Sequence, residues 1–418
     1  MNFIFLIFLY SIFFFFSYQK SNQNYLIFPF KKSTKVKNIF PDNLLQNDLE
    51  ITLKIGTPSQ NVNLNLRSNL YTFFITSSNV NLPFPTFNEK NSKSLIKESE
   101  KVEQYITKEY KEGFKIYETI TLNEKELKNI SLILATSISY NQSGALGLKL
   151  VDSHEFANDL SFIYQIKHKL NLNSYTFFIK YNNDEEGELI IGSYPHLLNN
   201  KYNEKDLFYQ RAGKINNNVD WVIEFDMIKY DNNTIERINN KCLIQIEYAL
   251  IHAPFNVKNY FIDNYFKNQC NQEFLIRKNI IMINCDKKFD ISTFKNLSFI
   301  SKDIDYEFVF TYKDLFIENG SKYIFSIIFD MKLNDKDNNW ILGKTFMKKY
   351  QLIYDLDRKI IGLYKGNSSK GFNFYILFLI ILILVIIGLI YYIFFYIKTP
   401  RKIRANELED DNYLYLPN

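Results

Sequence analysis

Residues 49–78 read LEITLKIGTPSQNVNLNLRSNLYTFFITSS, and this stretch decides the fold. Apolar and polar side chains alternate through 51–55 and again through 61–66, with a Gly-Thr-Pro turn between the two runs. A period of two around such a turn predicts two half-buried β-strands rather than a helix. The second strand ends in a short polar turn, RSNL at 67–70, and a further apolar run follows it.

The same pattern continues through most of the chain. Short runs rich in Ile, Phe, Tyr, Val and Thr alternate with clusters of Asn, Asp and Lys, which is typical of a mainly β protein. Helical patterns are few, and 154–170 and 257–270 are the better candidates. The charged, irregular stretch 89–108 is predicted to be a loop.

Length and charge limit the possible functions. A chain of 418 residues has room for two or three structural units with sizeable cores. The formal net charge is +5, and Lys and Arg are scattered without a basic stripe. Nucleic acid is therefore not a predicted partner.

Both ends of the chain carry apolar segments. Residues 1–18 are predicted to be a cleaved signal peptide, with an uncleaved anchor as the alternative. Residues 374–397 contain no charge and are long enough to cross a bilayer of roughly 30 Å as a helix. Basic residues follow at once, so 398–418 is predicted to be a cytoplasmic tail. The prediction is a single-pass type I membrane protein of the secretory or endosomal system or the cell surface.

Several motifs of the chain, taken together and in order, resemble the pepsin-like aspartic protease family. The opening IGTP-x-Q at 55–60 is followed by four more: SGALGL at 143–148, GELIIGS at 187–193, WVIEF at 221–225 and WILGKTF at 340–346. The resemblance implies a bilobal β fold with a substrate cleft between the lobes and a hairpin flap over it. The implied units are an N-terminal segment at 19–47, an N-lobe at 48–197 and a C-lobe at 206–366.

The resemblance also implies where two catalytic Asp residues would stand. In the family the first Asp falls nine residues after the Pro of IGTP, and nine residues after Pro58 stands Arg67. The second Asp falls nine residues before the Pro of a later strand, and nine residues before Pro254 stands Gln245. Tyr105 is the candidate flap tyrosine.

Two neighbouring positions differ as well. Asn69 and Glu247 stand where the family has Gly, which lets the backbone approach the catalytic pair closely. An aspartic protease needs two carboxylates that share a proton. Arg cannot act as a base and Gln does not titrate, so the sequence predicts no catalytic residue.

Two functions follow from this pattern. The first is a membrane-anchored pseudoprotease that binds a peptide or protein in its cleft or acts as a scaffold, and the second is a divergent active endopeptidase. Arg67 would either bind a carboxylate of a bound peptide, or it would be a diverged position without a binding role. In the second case its side chain would face solvent or be paired inside the protein. The four His residues show no metal-ligand spacing, so no metal and no cofactor is predicted.

Other features fit a secretory route. Of the three cysteines, the resemblance and the shorter loop favour a Cys270–Cys285 bridge, with Cys242 as a buried apolar residue. The tail contains Tyr413 and Leu416 in a Tyr-x-x-Leu tetrapeptide that resembles an endocytic sorting signal. Six sequons predict glycosylation sites: Asn129, Asn141, Asn232, Asn296, Asn319 and Asn367.

Overall fold

The structure is a computed structural model, and it describes residues 25–33, 42–103, 110–139, 141–150, 159–215, 218–267, 269–333, 340–365 and 382–394. The predicted signal peptide, Tyr105, Asn367 and the predicted tail lie outside these ranges. The described residues up to 365 form one compact unit, and those of 382–394 belong to a second.

The first unit is mainly β, as the alternating sequence predicts. The strands of its first half are β1 Leu26–Lys32, β2 Leu49–Ile55, β3 Gln60–Arg67, β4 Phe73–Thr76, β5 Ile96–Glu103, β6 Tyr110–Leu122, β7 Lys125–Ile138, β8 Gly144–Gly147, β9 Thr176–Tyr181 and β10 Glu186–Ile191. Those of its second half are β11 Leu207–Arg211, β12 Lys214–Ile215, β13 Asn218–Val219, β14 Val222–Tyr230, β15 Asn233–Ile244, β16 Ile251–Pro254, β17 Asn271–Leu275, β18 Ile280–Asp286, β19 Leu297–Ser301, β20 Tyr306–Phe310, β21 Phe316–Asn319, β22 Lys322–Phe325, β23 Ile327–Asp330, β24 Trp340–Leu342, β25 Leu352–Asp355 and β26 Ile360–Tyr364.

Helices are short and lie between the strands. The α-helices of the first unit are Asp42–Leu45, Phe162–Leu170, Pro195–Leu198, Val257–Phe261, Tyr312–Leu315 and Lys344–Lys349. A π-helical turn, Ile262–Phe266, continues the fourth of them, and 3-10 turns lie at Glu89–Asn91, Glu204–Asp206, Ile276–Lys278 and Ile291–Thr293.

Two large sheets form two lobes. The N-lobe sheet runs β11-β26-β25-β9-β10-β1-β2-β3-β8-β4-β7-β6-β5, and the C-lobe sheet runs β20-β19-β14-β15-β24-β16-β23-β18-β22-β21, with β17 on β18. The first sheet contains β11, β25 and β26 from the C-terminal half of the chain. The lobes are therefore joined by shared strand pairing as well as by side chains.

The lobes repeat one local arrangement. In the N-lobe β3 runs parallel to β8, with Arg67 opposite Gly147, and in the C-lobe β15 runs parallel to β24, with Ile244 opposite Leu342. A loop follows β3 and another follows β15, and each is held by a backbone bond to the partner strand's end. Leu148 N–H donates to the Arg67 carbonyl at 2.8 Å, and Gln245 N–H donates to the Leu342 carbonyl at 3.1 Å.

The motif at 143–148 has a glycine at position 147, where the loop after β3 passes close to the backbone. A Cβ at Gly147 would lie 2.5 Å from the Leu70 carbonyl oxygen and 2.5 Å from the Tyr71 carbonyl carbon. No side chain fits in that space, because real Cβ atoms do not approach backbone so closely. The loop after β3 therefore packs directly over the backbone of β8.

Residues 26–32, within the N-terminal segment, form β1 between β10 and β2. Two details differ from the sequence analysis. The prediction of a loop over 89–108 is wrong at Ile96–Glu103, which forms the edge strand β5 on β6. Alternating charged side chains suit an exposed edge strand, and this explains why the stretch looked irregular. The second predicted helix changes to a π-helical turn at Ile262.

Cys270 and Cys285 form the predicted disulfide, with Cα atoms 4.4 Å apart. The bridge ties the residue before β17 to β18, within the C-lobe. Cys242 is completely buried in β15, which confirms that it packs as an apolar residue.

The second unit is described only as a helix over 382–394. Its apolar side chains are 41–72% exposed. In the part of the chain that the structure describes, no helix has the length and apolar character needed to cross a membrane. The rest of the predicted span lies outside the described residues.

Candidate functional site: the floor between the lobes

The two loops that the sequence singles out touch each other. Arg67 ends β3 and Gln245 directly follows β15, so each lobe contributes one loop to the floor between them. The Ser68 hydroxyl oxygen accepts a hydrogen bond from the Ile246 N–H at 3.1 Å. Ser68 is only 2% exposed, so this bond joins the lobes inside the protein.

Glu247 extends this contact with its side chain. Its carboxylate accepts hydrogen bonds from the Ser68 hydroxyl at 2.7 Å and from the Asn69 N–H at 2.9 Å. One carboxylate oxygen serves each donor, so both oxygens of the C-lobe residue are held by the N-lobe loop. We call Ser68, Asn69 and Glu247 the clamp.

The surroundings of the clamp make its carboxylate hold a proton more readily. Part of the Glu247 residue remains accessible, but its carboxylate lies between the lobes, and burial raises its pKa above the ordinary 4.5. The Arg67 charge and the two clamp hydrogen bonds oppose that rise. Tyr181 and Tyr354 face the same carboxylate, and burial raises the pKa of both phenols.

Arg67 forms an ion pair inside the protein. Its guanidinium Nη1 lies 2.8 Å from a carboxylate oxygen of Asp48, and the two side chains are 11% and 17% exposed. The pairing supplies the partner that a partly buried cation needs. Of the two roles weighed for Arg67, the internally paired one agrees with this geometry.

Asp48 reaches the floor because a strap at residues 45–48 runs beside the C-lobe loop. The Asn47 N–H donates to the Glu247 carbonyl at 2.7 Å, and the Asn47 amide donates to the Ile246 carbonyl at 2.7 Å. The same amide reaches the Tyr181 hydroxyl at 3.1 Å, and Asn47 is 1% exposed. The strap therefore links the N-lobe strand β9 to the loop that carries Gln245.

Two further contacts join the lobes beside the floor. The Trp221 indole N–H donates to the Leu148 carbonyl at 2.8 Å, and the Trp221 side chain is completely buried. The Lys149 ammonium lies 3.0 Å from the Asp220 carboxylate. The Trp221 bond connects the motif at 143–148 to the motif at 221–225, and the ion pair joins the residues next to them.

Both carboxylates of the floor, Glu247 and Asp48, are engaged by protein groups. Each oxygen of Glu247 already accepts a hydrogen bond, and Asp48 is paired with Arg67. A general acid–base pair needs carboxylates that reach a shared water or substrate. The carboxylates of this floor are instead bound to protein donors.

The remaining predicted site residues lie elsewhere. The Asn residues of five sequons are exposed: Asn129, Asn141, Asn232, Asn296 and Asn319. His252 is 4% exposed and packs against the Tyr248 ring, so it is a packed residue. Within the described ranges, no group of three or more His, Cys, Asp or Glu side chains is placed to hold a metal ion.

Sequence reasoning missed three residues of the floor. Asp48 and Asn47 lie in a segment with no motif, and only their position just before β2 could have drawn attention to them. Ser68 lies in the RSNL turn at 67–70, and nothing in the pattern distinguishes it from its neighbours. Glu247 was identified as a residue in a glycine position, but the pattern gave no sign that its carboxylate crosses to the other lobe.

The fold and the paired loops define a two-lobed aspartic-protease-like protein. The model of the eukaryotic aspartyl protease family matches residues 50–365, and the chain belongs to that family. It is similar to Plasmepsin VII of Plasmodium falciparum (isolate NF54), with 23% identity over 400 residues, 83% of this chain and 84% of the relative being covered.

Replacing Glu247 with Gln should change how stability depends on pH. A carboxyl whose pKa is raised by folding contributes stability below its unfolded pKa, and that contribution is lost as pH rises through the folded pKa. Gln keeps an acceptor for Asn69 and carries no charge. The melting temperature of E247Q relative to the unaltered protein should therefore rise between about pH 4 and pH 7, measured by calorimetry.

The matched control is E126Q, on the exposed side of β7. That variant should follow the unaltered protein at every pH. If the E247Q and unaltered curves instead run parallel across the range, the carboxylate is not desolvated between the lobes.

Proposed function

We propose that this chain is a membrane-anchored, catalytically silent member of the aspartyl protease family. It uses the cleft between its lobes to bind a peptide or protein segment, or it serves as a scaffold. The proposal concerns the finer function, because family membership alone includes both active and inactive proteins.

The observation that carries the proposal is the ion pair of Arg67 with Asp48. Arg67 stands where the resemblance implies a catalytic Asp, and its charge is engaged by a neighbouring carboxylate. Arginine stays protonated up to about pH 12 and cannot take a proton from water. Gln245, at the matching C-lobe position, has no titratable proton. Neither of these two positions supplies the base or the acid of peptide hydrolysis.

One observation favours the alternative, a divergent endopeptidase. Glu247 and Asp48 bring two carboxyl groups to the same floor, and burial raises the pKa of Glu247, as in a general acid. Against it, the Ser68 and Asn69 donors occupy the two oxygens of Glu247. Asp48, the second carboxylate of the floor, is also held in its ion pair with Arg67.

Binding without catalysis is consistent with what the floor retains. The Trp221, Asn47 and Ser68 hydrogen bonds keep the lobes joined although the catalytic positions have changed. A cleft between two β lobes can still take an extended segment through main-chain hydrogen bonds. The identity of that ligand is left open by the proposal.

The membrane part of the proposal rests on the sequence and on one structural feature. The uncharged run at 374–397 is long enough to span a bilayer. The exposed sequons suit an ectodomain outside the cytosol.

Catalytic silence is tested with the full-length protein in detergent. Incubated with a denatured protein from strongly acidic to neutral pH, it should release no new peptides by mass spectrometry, because the floor lacks an available carboxylate pair. An active aspartic protease under the same conditions is the positive control.

The variants E247Q and D48N separate the two functions in that assay. Pepstatin-sensitive cleavage that disappears in both variants would establish the endopeptidase instead. Cleavage that survives in both variants would point to a contaminating enzyme. The protein would then be purified further and the cleavage assay repeated.

Topology and trafficking are tested in cells. The ectodomain should carry glycans removable by an N-glycosidase, and an epitope after residue 418 should be digested by protease only when the membrane is permeabilised. Tyr413→Ala should raise the surface level in an antibody-uptake assay if the tail carries an endocytic signal. Tyr415→Ala, which leaves Tyr413 and Leu416 in place, is the matched control.

A tail epitope that is cleaved on intact cells would contradict the type I topology. Equal surface levels for Tyr413→Ala and the control would contradict an endocytic signal in the tail. The proposal for the cleft does not depend on that result.

A further inference from the structure

A second concave surface lies apart from the clamp. It has a volume of about 640 Å³, and both lobes line it. None of its lining residues belongs to the clamp or is Arg67 or Gln245. We call it the lysine groove; its charged lining residues are Lys32, Asp184, Lys313, Asp314, Glu318, Lys344, Lys348 and Lys349.

The groove has an excess of positive charge. Five lysines face three carboxylates, which gives a lining charge of +2. Lys344 and Lys348, one turn apart on the helix Lys344–Lys349, share a single carboxylate, Asp184, at 3.4 and 2.7 Å. Lys349 pairs with Asp314. The lysines therefore outnumber the anions that the groove itself supplies.

Lys344 is in an unfavourable setting for a cation. Its side chain is 14% exposed, and burial lowers its pKa, with the neighbouring charges of Lys32 and Lys348 acting in the same direction. An additional anion in the groove would offset this repulsion and the loss of hydration. The lysines of the groove therefore provide a favourable electrostatic setting for an anionic group.

The floor of the groove is apolar and contains one unsatisfied polar group. Leu44, Ile317 and Phe316 contribute apolar surface. The Ser326 hydroxyl is completely buried and has no hydrogen-bond partner among the described residues. Buried hydroxyls in proteins are normally bonded, so an orphan at the edge of a concave surface points to a missing partner.

The shape of the rim decides the kind of ligand. Lys348 and Asp184 are 49% and 69% exposed, and Lys313 is exposed as well. An open rim over an apolar floor suits an extended chain segment better than an enclosed small molecule. We propose that the lysine groove binds an acidic peptide segment of a partner protein, with carboxylates on the lysines and an apolar side chain on the floor.

The test uses random peptides displayed on phage and the full-length protein in detergent as bait. The counter-bait carries Lys313→Glu and Lys348→Glu, two exposed rim positions outside the clamp. Peptides that bind the unaltered protein and not the counter-bait should be rich in Asp and Glu around an apolar residue. Peptides bound equally by both baits bind elsewhere, for example in the cleft, so the two proposals are scored separately.

The selected peptides are then synthesised and titrated by fluorescence polarisation. Affinity should fall about tenfold in the double variant, because two attractions become repulsions, and it should weaken with added salt. Lys125→Glu makes the same charge reversal at an exposed position outside the groove and should match the unaltered protein. The proposal is overturned if no lysine-dependent peptides emerge, if those that emerge are not acidic, or if Lys125→Glu weakens binding equally.

Discussion

A carboxylate placed between two lobes has to be met by hydrogen-bond donors, and the Glu247 carboxylate is met from across the lobe boundary. The Ser68 hydroxyl and the Asn69 N–H each bind one of its oxygens. Leaving such a group without donors would cost several kcal/mol. This one group therefore links the two loops directly, and the strap and the Arg67–Asp48 pair lie around it.

The clamp also explains how the fold tolerates side chains where the family resemblance implies glycines. Asn69 contributes its backbone N–H to the carboxylate, so its position is used rather than merely crowded. Glu247 fills the space with a side chain that supplies acceptors for the opposite loop. The two loops that would carry a catalytic pair in the family are thus joined by the clamp next to those positions, which is consistent with the proposed loss of hydrolysis.

The sequence predicted the features that depend on local pattern. Alternation around residues 51–66 gave β2 and β3, and the spacing to Pro58 and Pro254 identified Arg67 and Gln245 as paired loop residues, which the structure brings into adjacent loops. The features it missed depend on long-range contacts. The Arg67 partner lies 19 residues earlier and the Ser68–Glu247 bond joins residues 179 apart, and no local periodicity encodes either. The edge strand β5 was missed because its exposed side is charged, as an edge requires.

A double-mutant cycle across the lobes tests the clamp most directly. Unfolding free energies are measured at neutral pH for Ser68→Ala, Glu247→Ala and the double variant. The account predicts a coupling of about 1–3 kcal/mol, since the two side chains are hydrogen-bonded in a buried network. Ser193→Ala paired with Glu247→Ala is the control, because Ser193 is equally buried and its hydroxyl has no partner among the described residues. Its effects should add to within about 0.5 kcal/mol, and a Ser68–Glu247 coupling no larger than that would contradict the account.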